Sequence, residues 1–260
     1  PSAECIIDNI FIKKKLLNFD MVKLDFINLA AYEGERYNMS LAPTGMAAYN
    51  YVSKLLRKYV SLFKINLAIS LPLPPLENIQ SRRLGCDQMF GGIVYSMNQY
   101  AGGWWLNSLY TLNPDLITFE GNYWFSKKYE MATKFLSMDS KSRVTKGIIY
   151  GGVFKNGDDL SDKTNADLFN TYFGNDKVIS LWKRKPNFRP MSWNNGLPVI
   201  GAFSPPNIFT RSNGDLAILN YGIFKRHFKV DLHNLFETTG ITCVDIWDNT
   251  SYKLDNYILS

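Results

Sequence analysis

The segment Phe19-Asp20-Met21-Val22-Lys23-Leu24-Asp25-Phe26-Ile27 constrains the fold more than any other. It reads as a buried β-strand carrying two charges, Lys23 and Asp25, toward its C-terminal end. Residues 1–18 before it read as a helix. Ser2 is placed to cap it, and Cys5, Ile6, Ile10, Leu16 and Leu17 recur at helical spacing. Residues 45–61 after it repeat the helical period through Met46, Tyr49, Val52, Leu55, Leu56 and Tyr59. Ile65 to Leu71 reads as a second strand, stopped by Pro72, Pro74 and Pro75. A short strand is expected near Arg83–Cys86, an apolar segment at Leu116–Phe119, a helix over 126–140 and a strand from Gly147 to Phe154. This β-α-β-α order predicts an α/β fold with a parallel sheet and crossover helices. Polar residues gather where strands end, which is where such sheets keep their sites.

The pattern changes near Pro186–Pro198. Short alternating stretches follow at Leu216–Leu219, Phe228–Val230, Ile241–Ile246, Tyr252–Leu254 and Tyr257–Leu259, with Gly, Asn and Asp between them. These predict a small antiparallel β-sandwich domain over 191–260, following a first domain over 1–190.

Composition narrows the function classes. With 46% hydrophobic and 20% charged residues, the chain is globular in character. Net charge is +6, but the only tight basic runs are Lys13-Lys14-Lys15 and Lys183-Arg184-Lys185. They read as solvated faces, so no nucleic-acid partner is expected. Cys5, Cys86 and Cys243 are odd in number and without CxxC spacing, which argues against a disulfide framework and a zinc site. The two histidines, His227 and His233, come late. Neither a metal nor a cofactor is expected. No apolar run reaches the roughly 18 residues of a membrane span. The chain opens with Pro-Ser-Ala-Glu rather than Met, so the natural N-terminus is expected to lie upstream, and the compartment, extracellular or cytoplasmic, stays open.

Two strand-end aspartates carry the chemistry. Retaining glycoside hydrolysis needs two carboxyl groups roughly 5 Å apart, one attacking the anomeric carbon and one moving a proton. Asp25 is the candidate nucleophile. Lys23, two residues earlier, shares its strand face and would keep it ionised. Asp87 is the candidate acid/base, with Arg83 four residues before it and Gly85 allowing close approach. Taken singly, each pair also reads as a structural ion pair.

Five ordered segments sharpen the reading. Asp20-Met21-Val22-Lys23-Leu24-Asp25-Phe26 resembles the nucleophile strand of α-galactosidases and α-N-acetylgalactosaminidases, glycoside hydrolase families 27 and 36. Arg83-Leu84-Gly85-Cys86-Asp87 resembles their Arg-x-x-x-Asp acid/base motif. Leu112-Asn113-Pro114-Asp115 looks like their Asn-Asp-Pro-Asp strand, with Asn113 in place of the first Asp. Gly157-Asp158-Asp159-Leu160 and Phe188-Arg189-Pro190 are similar to their later motifs.

The resemblance implies the C-terminal portion, strands four to eight, of a (β/α)8 (TIM) barrel, followed by the β-sandwich. The first three strands would come from an N-terminal segment. It implies an exo-acting retaining α-glycosidase that cleaves terminal α-galactosides of an oligosaccharide or glycoconjugate. Asp25 and Asp87 would be catalytic, and Lys23, Arg83 and Asp115 would bind substrate. Trp105 and Asn107, near Trp104, are further candidates for lining the sugar site. An α-N-acetylgalactosaminidase, an α-glucan-acting relative or a non-catalytic carbohydrate-binding protein on this fold are the alternatives. Homo-oligomerisation is left open.

Overall fold

A computed structural model describes residues 2–16, 18–24, 27–36, 38–59, 64–67, 81–84, 92–119, 140–191, 205–221, 227–228, 230–232, 241–254 and 258–259. Helix α1 (Ala3–Leu16) starts where the sequence predicts, with the Cys5 amide donating to Ser2 Oγ at 3.2 Å. Helix α2 (Gly45–Arg57) is capped by Thr44, whose Oγ1 accepts from the Ala47 amide. Its inward face carries Tyr49, Leu55 and Leu56. The ring of Phe11 in α1 stacks on Tyr59, just past α2, with centroids 4.4 Å apart. Such a pair contributes about 0.5–1.5 kcal/mol beyond the burial of its area. It ties the two helices together over Leu56.

Four strands form a parallel sheet whose spatial order equals chain order: β1 (Met21–Leu24), β2 (Lys64–Leu67), β3 (Ser81–Arg83) and β4 (Thr111–Asn113). Parallel neighbours need a crossover. Helix α2 lies in the first crossover, and α3 (Gly92–Gly103) lies between β3 and β4. Past β4 comes helix α4 (Ser140–Tyr150), after which the chain returns beside β4. There Val153 N donates to Leu112 O at 2.9 Å, Ile117 N to Lys155 O at 3.0 Å, and Ile117 bridges Asn156 in parallel. A fifth extended run thus continues the same order, with no reversal among the described residues.

The expected strand from Gly147 to Phe154 is corrected here. Gly147–Tyr150 is the last turn of α4, and the extended run begins beyond it. Ile148, Ile149 and Tyr150 are all buried, and a short buried apolar run has the same composition in a helix as in a strand. Gly151 ends the helix at φ +60, the left-handed conformation that favours glycine. At Gly152 a Cβ would stand 1.8 Å from Leu112 O, so only glycine lets this run reach β4.

Helices α5 (Lys163–Tyr172) and α6 (Asp176–Lys183) follow, capped by Asp162 and Asn175. The remaining described strands pair antiparallel: β5 (Arg189–Pro190) with β6 (Ile208–Thr210) and β6 with β7 (Leu216–Ile218). The others are β8 (Val230–Asp231) with β11 (Ile258–Leu259), and β9 (Ile241–Val244) with β10 (Ser251–Leu254). The main core does not stop at residue 190. Tyr100, Tyr150, Leu112 and Val178 share it with Phe188, Phe209 and Leu219.

Candidate functional site

The C-terminal ends of three adjacent runs converge on Asp115. Arg83 is the last residue of β3 and lies in register with Asn113 of β4. Asn113 Oδ1 accepts from the Asp115 amide at 2.9 Å, a turn that sets Asp115 at φ 65. From that position the buried carboxylate takes two cations. Oδ2 accepts from Arg83 Nη1 at 3.0 Å, and Oδ1 lies 3.7 Å from Lys155 Nζ. The Asp115 side chain is 2% exposed and that of Arg83 11%, so the pair is close to dry. Behind it, Lys146 of α4 donates to Pro114 O at 3.3 Å and Arg143 donates to Thr118 O at 3.1 Å. These bonds pin the loop that carries Asp115 to the helix.

Lys155 escaped the sequence reading. The signal was partial: like Lys23, it is a cation toward the end of an apolar run, just before the Asn156-Gly157-Asp158 turn. Burial pushes its amine down, Asp115 pulls it back up, and the charges of Lys23 and Arg83 push it down further. Lys23, exposed near the end of β1, therefore acts on the same strand-end field as Arg83.

Asp158 and Asp159, of the Gly157-Asp158-Asp159-Leu160 segment, hold turns. Asp158 Oδ2 accepts from the Phe119 amide at 2.9 Å and from Asn156 Nδ2 at 2.7 Å. Asp159 Oδ1 accepts from the hydroxyl and amide of Ser161, which hold its carboxyl below the usual range. Phe188 is buried under the Arg211 guanidinium, whose carbon stands 4.1 Å from the ring centroid.

Trp105 and Asn107 are not brought to this cluster. They belong to the 3₁₀ turn Trp104–Ser108, which enters β4 from its N-terminal end, opposite Asp115. Trp105 is 54% exposed, with its indole N–H on Gly102 O. Asn107 donates to the Tyr100 hydroxyl and lines a cavity of about 390 Å³ with Thr111, Gly152, Lys185 and Asn187. Asp25 and Asp87, the two expected catalytic carboxylates, lie outside the described residues. Asp25 directly follows Leu24 in the chain, and Asp87 follows Leu84 in the next few residues.

Among the described residues no group of three or more His, Cys, Asp or Glu is arranged to hold a metal ion. No described helix is long and apolar enough to cross a membrane. No protein-family model matches this chain, and neither does any curated protein.

Proposed function

We propose that this chain carries the catalytic portion of a retaining α-glycosidase of the α-galactosidase type, with Asp25 as nucleophile and Asp87 as acid/base. One observation carries the reading beyond the ordered motifs. Arg83 and Asp115, drawn from two of those motifs, meet as a buried pair at the C-terminal ends of a chain-ordered parallel sheet. That is the end where (β/α)8 enzymes keep their chemistry. A parallel sheet with no reversal among the described residues accords with a barrel portion, whereas the order of a doubly wound sheet reverses at its switch point.

In this reading the Asp25 carboxylate attacks the anomeric carbon and forms a covalent ester as the glycosidic C–O bond breaks. The Asp87 carboxyl gives its proton to the departing oxygen. Asp87, now a carboxylate, then takes a proton from water, and the resulting hydroxide displaces Asp25 with net retention. Lys23 favours the ionised Asp25. Arg83, immobilised by Asp115, offers fixed donors to sugar hydroxyls or to the acid.

Trapping the full-length protein with a 2-fluoro α-galactosyl substrate and mapping the ester by mass spectrometry tests the assignment. A label on Asp25 is expected. A label on Asp87 would reverse the two roles. No label, with no turnover of any aryl α-glycoside, would favour a non-catalytic carbohydrate-binding protein.

A further inference from the structure

The Trp104–Ser108 turn, which the fold keeps away from Asp115, borders an open polar cavity at the N-terminal end of β4. Its volume of about 390 Å³ lies inside the roughly 300–1,000 Å³ of small-ligand pockets. The lining residues bring hydroxyls from Ser108 and Thr111, side-chain amides from Asn107 and Asn187, and the Lys185 ammonium. Hydroxyls and amides both give and take hydrogen bonds. Lys185 donates to Asn187 Oδ1 at 2.9 Å and to Gly151 O at 3.0 Å, which fixes both side chains at the wall. Two of its three N–H groups are thus used, and no acidic side chain stands among the described lining residues. Such a lining suits a neutral hydroxylated ligand better than an ion.

An exposed tryptophan flanks the opening. Trp105 is 54% exposed, yet its indole N–H is fixed on Gly102 O at 3.1 Å. A 3₁₀ helix has three residues per turn, so Trp105 shares a face with Ser108 of the lining. The Ser108 hydroxyl donates to Trp105 O at 2.9 Å and holds that turn closed. The indole is therefore a fixed apolar plate beside a polar cavity, and such plates stack on the C–H faces of pyranose rings. We propose that Trp105 and this cavity form a non-catalytic sugar subsite, which holds a neutral pyranose at the sheet end opposite Asp115. Trp105 stacks on the ring, and Ser108, Thr111 and Asn187 bond its hydroxyls. Only the choice of galactose as probe rests on the glycosidase reading.

The test titrates free galactose, which hydrolysis does not consume, into full-length protein carrying ¹⁵N at its indoles. The Trp105 resonance is assigned by its loss in Trp105→Phe. It should shift saturably, with a Kd of about 1–10 mM. Asn187→Ala and Thr111→Val should each weaken that binding about threefold or more, while the other indole resonances of the free protein stay in place. No saturable shift would overturn the proposal, and so would an equal response to glycerol. An unchanged curve in both variants would overturn it too, because the cavity would then take no part. A saturable Trp105 shift in a protein that turns over no aryl α-glycoside would keep this subsite and sink the hydrolase reading. Turnover without the shift would sink the subsite alone.

Discussion

Arg83 and Asp115 sit 32 residues apart and meet at 3.0 Å, Arg83 closing β3 and Asp115 two residues past the end of β4. The pair is nearly dry, so removing one partner exposes the other to the full cost of an uncompensated buried charge. Asp115→Ala should lower stability by about 3–5 kcal/mol. Asp115→Asn should cost less, because asparagine tolerates the φ of 65 found here and still accepts from Arg83. Urea unfolding of the two variants measures the difference. Equal losses would mean that backbone conformation, rather than charge, sets the cost.

Lys155 should be a residue whose removal stabilises the fold. Its amine is lowered by burial and by neighbouring cations, so the unfolded chain holds that proton more tightly than the native state does. Stability from this group therefore rises with pH through the window between the depressed native pKa and the ordinary 10.5. Lys155→Met should add about 0.5–1 kcal/mol at neutral pH. The gap to the unmodified protein should narrow as pH climbs toward 10. Urea midpoints from pH 7 to 10 follow it, and a gap that widens would contradict the sign.

Adjacent glycines should respond differently to the same substitution. Gly152→Ala drives a methyl into the Leu112 carbonyl of β4, a backbone atom that cannot step aside. A loss of about 3 kcal/mol or more is expected. Gly151→Ala meets the flexible Asn187 side chain and a left-handed φ, so about 1–2 kcal/mol is expected. Thermal melts of both variants rank them.

Tyr100 is fully buried, with its hydroxyl donating to Phe188 O and accepting from Asn107. Tyr100→Phe leaves that carbonyl without its donor. It should lower stability by about 1–2 kcal/mol, read by denaturant titration, without moving the KM of any substrate bound near Asp115. An altered KM would place the Asn107 cavity in communication with the strand ends.

The elements most legible in the sequence were those written in local chemistry. Ser2 announced α1, the spacing of Tyr49, Leu55 and Leu56 announced α2, and alternating stretches marked the segments that form β9 and β10. Gly147–Tyr150 misled because burial on all sides erases periodicity, and only the Gly151-Gly152 pair marks the true end of the helix. At the site, Arg83 and Asp115 were each visible as members of ordered motifs, with Arg83 expected to open a strand that it in fact closes, and their pairing depends on the register of β3 against β4. Lys155 was hidden because its importance comes from Asp115, 40 residues upstream in number and 3.7 Å away in space. Trp105 and Asn107 looked plausible by residue type, yet which end of a strand a turn occupies is decided by chain direction.

Phe209 and Leu219 pack in one core with Tyr100 and Tyr150, and Arg211 donates to the carbonyls of Arg184 and Leu181 at the end of α6. The seam near residue 190 therefore divides two styles of secondary structure without dividing the solvent-free interior. Recombination that exchanged the downstream strands for those of a distant relative would have to import matching aromatic partners as well. Sequence change on either side of the seam is for that reason expected to proceed in concert, with the strands inherited alongside the helices they cover.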